Sequence, residues 1–229
     1  LAKDSGQVDA NILKASVHFM KKEVDQGEKR LMDLYSAGVT SPDMFLMLTS
    51  AARLKKDTDK MRSWLTQGLE KNPDHLGLLL TQAQIEANLK NFDAAEKSLK
   101  KVIDLKPDEP RHRLNLAKLY MATGKKDNAQ KVLEDAMAVN EKDEKLRIGA
   151  ASFWLAAKDL EKAEELIREG LVISPDSFDY RLFQAELYLK TRRLNEAEMI
   201  LRQALELNPD PANPDIIKTN MGLAKVLAL

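Results

Sequence analysis

The sequence contains no cysteine, so it holds no disulfide, no thiolate metal site and no cysteine nucleophile. A cysteine-free chain suits the cytoplasm and the bacterial periplasm alike. No run of about 18 apolar residues occurs, so no segment reads as a transmembrane helix. Aromatic residues make up only 5% of the chain, and the nine glycines never cluster into the kind of run that cradles phosphate. An excess of charge is also missing, with 36 Lys and Arg against 36 Asp and Glu. Residues 1–114 carry 19 basic and 17 acidic side chains, and residues 115–229 carry 17 and 19. Neither half is a basic reservoir, which argues against a nucleic-acid binder. The chain begins at Leu1 with no signal peptide and reads as a fragment of a longer chain or a processed form.

What remains is rich in Ala, Leu, Lys and Glu, the strong helix formers. The chain is 44% hydrophobic and 31% charged, a balance that suits a folded protein. Its organising feature is a period. Asn72-Pro73-Asp74, Lys106-Pro107-Asp108, Ser174-Pro175-Asp176 and Asn208-Pro209-Asp210 share one local pattern. Pro73 to Pro107 and Pro175 to Pro209 are each 34 residues apart, and Pro107 to Pro175 is 68, with Glu141 in the vacant slot. Ala83, Ala117, Ala151 and Ala185 form a column with the same step, as do Ala95, Ala129, Ala163 and Ala197. Leu99, Leu133, Ile167 and Leu201 form a third. Extended backwards, the first column reaches Thr49 and Ala15, and the second reaches Met61 and Gly27. Six repeats result, over about 8–41, 42–75, 76–109, 110–143, 144–177 and 178–211, expected to form one domain.

Each repeat reads as two helices. In the fourth, Leu114, Leu116, Leu119 and Tyr120 mark one apolar stripe. Gly124 then supplies the left-handed conformation that ends a helix. Asp127 opens the next, with Ala129, Val132, Leu133 and Ala136 as its stripe. Asp93-Ala-Ala-Glu96 and Asn195-Glu-Ala-Glu198 predict capping boxes at the equivalent place. The small columns predict close helix crossings. Stacked hairpins then bury what a lone hairpin cannot. After Pro209 the register slips, and about 215–229 reads as one more helix ending in an apolar run.

The 34-residue period resembles that of the tetratricopeptide repeat family, and the sixth repeat carries its pattern best, with Ala185, Tyr188, Ala197, Leu201, Ala204 and Pro209. The tryptophan of the family's first helix is replaced by Leu79, Arg113, Arg147 and Arg181, and the glycine beside it by alanine. The resemblance implies an all-α fold, a right-handed superhelical solenoid of tandem helix-turn-helix repeats whose first helices line a concave groove. Projected onto this chain, the family's groove positions are Leu80, Gln84, Leu114, Asn115, Lys118, Met121, Ile148, Ser152, Leu155, Leu182, Glu186 and Leu189. Their N-terminal equivalents are Ile12, Phe19, Leu46, Met47 and Leu54. A groove so composed is largely apolar and suits an apolar helix or extended segment. The carboxylate clamp of some chaperone-associated members is not expected. Asn115 and Lys145 match two of its sites, but Leu80, Gln84 and Gly149 replace the other donors.

No catalytic, cofactor or metal site is expected. His18, His75 and His112 fall in different repeats and read as ordinary surface or turn histidines. Trp64 and Trp154 read as gap fillers between hairpins, and Met44, Met47 and Met61 as core or groove filler. The expected function is that of a non-enzymatic scaffold binding another protein or a peptide, with no nucleic-acid partner and no membrane span. Self-association through the apolar C-terminal helix is a further expectation. The competing reading is a regulatory or substrate-docking arm of an enzyme whose catalytic domain lies outside these residues.

Overall fold

The computed structural model describes residues 5–207 and 219–224. All regular structure there is helical. Twelve helices run in chain order: α1 (Ser5–Met20), α2 (Val24–Ser36), α3 (Pro42–Leu54), α4 (Thr58–Lys71), α5 (Leu76–Asn88), α6 (Phe92–Leu105), α7 (Pro110–Ala122), α8 (Lys126–Val139), α9 (Glu144–Ala156), α10 (Leu160–Ile173), α11 (Phe178–Lys190) and α12 (Leu194–Leu207). Residues 219–224 are helical as well. The remainder of the helix expected over about 215–229, and the Asp210–Asp215 turn before it, lie outside the described residues.

Contacts divide the chain into two compact units, Leu1–Asp108 and Glu109–Leu229. In each, consecutive helices pair as hairpins, and each hairpin packs on the next. In the first unit α3 touches α1, α2 and α5 as well as its own partner α4, and in the second α9 touches α7, α8 and α11 as well as α10. This nearest-neighbour packing is how a helical-repeat array makes a core.

The small columns sit where the crossings need them. Ala15, Ala117, Ala151 and Ala185 have no exposed surface, nor do Ala95, Ala129, Ala163 and Ala197. A large residue there would push the backbones apart. Met61 is the outlier of its column; it is only half-buried and packs against the edge of the first unit's core.

The hairpin turns share one backbone solution. Gly124 has φ +74°, as expected of a glycine ending a helix. Lys22, Lys56, Lys90, Lys158 and Arg192, at the same step of the period, also have φ between 58° and 63°. The left-handed state disfavours side chains by roughly 1–2 kcal/mol. The compensation is local, because the next residue's N–H reaches back five residues along the chain. Asp57 donates to the Ala52 carbonyl at 2.9 Å, Asp159 to Trp154 at 2.9 Å and Lys125 to Tyr120 at 2.8 Å. Such bonds satisfy carbonyls that a helix end leaves open.

The caps of α6, α8 and α12 fall two residues earlier than the sequence suggested. The N-cap slots of α6, α8 and α12 precede Phe92, Lys126 and Leu194, so Asp93, Asp127 and Asn195 lie inside the first turn rather than at its cap. On second helices, Asp57 and Asp159 form acid caps, accepting from the N–H of Lys60 at 3.0 Å and of Lys162 at 3.2 Å. The tight turn is the cause, since the residue after the left-handed one must already cap the next helix.

Candidate functional site

The projected groove residues all lie on the first helix of their hairpins. Leu80 and Gln84 are on α5 in the first unit. In the second unit α7 carries Leu114, Asn115, Lys118 and Met121; α9 carries Ile148, Ser152 and Leu155; and α11 carries Leu182, Glu186 and Leu189. Their exposure separates by chemistry. Leu80, Leu114, Met121, Ile148, Leu155, Leu182 and Leu189 are half-buried, whereas Gln84, Asn115, Lys118, Ser152 and Glu186 are exposed.

The apolar members are held in place by the stacking. A Cβ added to Gly149 would lie 2.9 Å from Leu114 Cδ1, so Leu114 lies against the backbone of α9. Leu182 and Leu189 pack against a core of Ala185, Ala197, Ile200 and Leu201, which Leu223 also joins. In the first unit Ile12, Phe19, Leu46 and Met47 pack onto the Leu31–Phe45–Leu48 core, while Leu54 is exposed. The first-helix face of the second unit is therefore amphipathic. Polar Asn115, Lys118, Ser152 and Glu186 stand out from it, with apolar side chains set between them. Glu186 pairs with Lys190 at 3.2 Å.

The histidines have separate surroundings. His18 Nδ1 lies 2.7 Å from Glu23 Oε2. His75 Nδ1 accepts from the Leu78 N–H at 3.3 Å and caps α5. His112 departs from the expectation of a surface or turn residue, being only 1% exposed. It stands in register with Leu78, Leu146 and Tyr180, all buried, and that column was the signal of its burial. Neither ring nitrogen has a hydrogen-bond partner, and the Glu109 carboxylate is 3.7 Å from Nε2. Burial holds the His112 pKa below its ordinary value of 6.5, more strongly than Glu109 raises it.

A measurable pH dependence follows. Below about pH 6.5 the unfolded chain takes up a proton that folded His112 resists, so stability falls as the pH drops through that value. His112→Leu, which copies Leu78 and Leu146, should raise the urea midpoint at pH 7.5. The gain from losing two unpartnered nitrogens is about 1–3 kcal/mol. It should also flatten the midpoint's decline between pH 7.5 and 5.5. An unchanged pH slope in the variant would assign that decline to other groups.

Other polar groups serve the stack. Glu86, buried on α5, accepts from Arg62 at 2.8 and 2.7 Å and from Asn91 at 2.9 Å; the hydrogen bond and the charge of Glu86 raise the Arg62 pKa. Lys55 joins α2 through Asp25 at 2.5 Å and through Glu28. Trp154 is fully buried as a gap filler should be, and Trp64 is half-buried against the Tyr35 ring at 5.2 Å. Among the described residues, no three His, Asp or Glu side chains gather in a way that could hold a metal ion. No helix there is long and apolar enough to cross a membrane.

Paired helices, buried small columns and nearest-neighbour stacking define a helical-repeat scaffold. The tetratricopeptide repeat family matches residues 89–147, 127–187 and 155–216, together more than half of the chain. The chain belongs to that family. No curated protein matches it in sequence. Among solved structures it is similar to PilF of Pseudomonas aeruginosa, with 14% identity over 96% of each chain and a TM-score of 0.56. It is also similar to a tetratricopeptide repeat protein of Parabacteroides merdae, with 14% identity, 98% of this chain and 86% of that one covered, and a TM-score of 0.54. The C-terminal part of a repeat protein from Cytophaga hutchinsonii gives 13% identity, coverage of 95% and 88%, and a TM-score of 0.55. At such identities the likeness concerns the fold.

Proposed function

We propose that this protein binds a peptide or a helix of another protein on the first-helix face of α7, α9 and α11, and carries out no reaction of its own. The observation that carries the reading is the arrangement of that face. Asn115, Lys118, Ser152 and Glu186 offer exposed hydrogen-bonding and charged groups on three successive first helices, between half-buried leucines that supply apolar contact. Such a mixture suits recognition, in which polar groups fix register and apolar ones supply affinity.

The variants that test this must spare the stack. Leu114 is unsuitable because it packs on α9. Lys118→Glu with Glu186→Lys, and separately Ser152→Trp, alter exposed positions only, and exposed substitutions change stability by about 0.5 kcal/mol or less. A photo-crosslinking amino acid at Ser152 should capture a partner that one at Lys131, on α8, does not. The charge-reversed protein should bind that partner at least about tenfold more weakly, near 1.4 kcal/mol, with an unchanged melting temperature. Equal capture from both sites, with undiminished affinity of the variants, would remove the partner from this face.

A further inference from the structure

A second surface of the second unit lies mainly on the second helices α8 and α10. α8, α9 and α10 enclose an open cleft with Met137, Ala138, Val172 and Ile173 on its walls. Val172 is 77% exposed, and Val139, the last residue of α8, is 74% exposed. The repeat makes these apolar side chains informative. The slot of Ala138 and Val172 is filled by Ser36, Glu70, Asp104 and Glu206 elsewhere, all polar and exposed. An acid thus suits the solvated position in three repeats, and the departure is confined to two adjacent ones that flank the same cleft. Apolar surface gathered in this way marks contact with a partner, whereas isolated exposed apolar residues do not.

The rim supplies the chemistry of the partner. Glu134, Glu141 and Glu169 line the cleft against one guanidinium, that of Arg147. Arg147 is buried and donates to Glu169 at 2.9 Å. Glu134 accepts from Gln130 at 2.7 Å and lies 3.7 Å from Lys162. The rim stays negative after these pairings. An anionic rim around apolar walls disfavours nucleic acid and acidic segments and favours a cationic one. We infer that this cleft docks a segment of another protein that presents an apolar side chain flanked by Lys or Arg. The surface is separate from the first-helix face, so one chain could hold two partners.

The test uses the 229-residue chain and random peptides of about 12 residues, a length able to fill a short groove. Phage-displayed peptides are selected on the wild type and counter-selected on an Ala138→Asp/Val172→Glu variant. That variant should fold normally, because it installs the acids that other repeats carry in the same slot; circular dichroism and melting temperature check this. The expected result is enrichment of peptides with an apolar residue next to Lys or Arg. One such synthetic peptide, followed by fluorescence anisotropy, should bind the wild type at least about tenfold more tightly than the variant. Its affinity should stay within about twofold when Lys118→Glu/Glu186→Lys alters the first-helix face. Failure to enrich any sequence over the counter-target, or enrichment of acidic or uncharged peptides, would overturn the inference. Peptides that lose binding in the first-helix variant instead would also overturn it while leaving the proposed function standing.

Discussion

Trp154→Ala is expected to lower stability by about 3–5 kcal/mol, the range for removing a fully buried tryptophan. Trp154 is 1% exposed and meets Phe153 edge-on with ring centroids 5.0 Å apart. Lys126 Nζ lies 5.6 Å from its ring centroid, so the ring ties α9 to the start of α8. For a chain of this size the loss corresponds to a melting temperature lower by on the order of 10 °C. Because stacked repeats contact only their neighbours, the damage should be local. Hydrogen exchange should accelerate in α9, α10 and the helices beside them, while α3 and α4 keep their protection. Equal acceleration in α3 and α4 would show that the array unfolds as one cooperative body.

Gly170→Val is the second large effect. A Cβ on Gly170 would lie 2.5 Å from Tyr180 Cζ and 2.7 and 2.8 Å from the adjoining ring carbons. The ring is 1% exposed and cannot swing into solvent. A valine must therefore separate α10 from α11, at a cost of about 1–3 kcal/mol or more. Two residues in the same relation one repeat earlier, Ala136 and Leu146, are both buried and larger and smaller respectively. Gly170→Ala with Tyr180→Leu copies that pair and should melt close to the wild type, whereas Gly170→Val alone melts well below it. If the single valine variant melts as the wild type does, the helices yield freely at this crossing.

The fold was legible because its determinants repeat. Small residues must recur wherever helices cross, and prolines recur where second helices end, so the period stands out without any contact information. Register also carried signals that single residues hide. A histidine among arginines looks solvated, yet its column holds Leu78, Leu146 and Tyr180, and that column predicts burial. Capping boxes at Asp93 and Asn195 were misplaced because a left-handed residue need not be glycine. Lys90 and Arg192 adopt that state and place the cap two residues earlier in the chain. Complementarity between neighbours was not legible either, since the fit of Gly170 to Tyr180 depends on distance. The candidate face was only partly readable. The period shows which residues share a face, but the division into half-buried leucines and exposed polar groups arises from the approach of adjacent helices.

The recurring left-handed turn makes this polypeptide editable in whole steps. Lys56, Lys90, Lys158 and Arg192 present the same backbone geometry to whatever follows. Excision of residues 58–91 would join Asp57 to Phe92 and leave a left-handed lysine, a capping acid and a second helix in their usual order. An excision one residue longer or shorter would displace the capping residue from its slot. Duplication or loss of a coding segment of this length would therefore change the reach of the scaffold in discrete increments while preserving every joint.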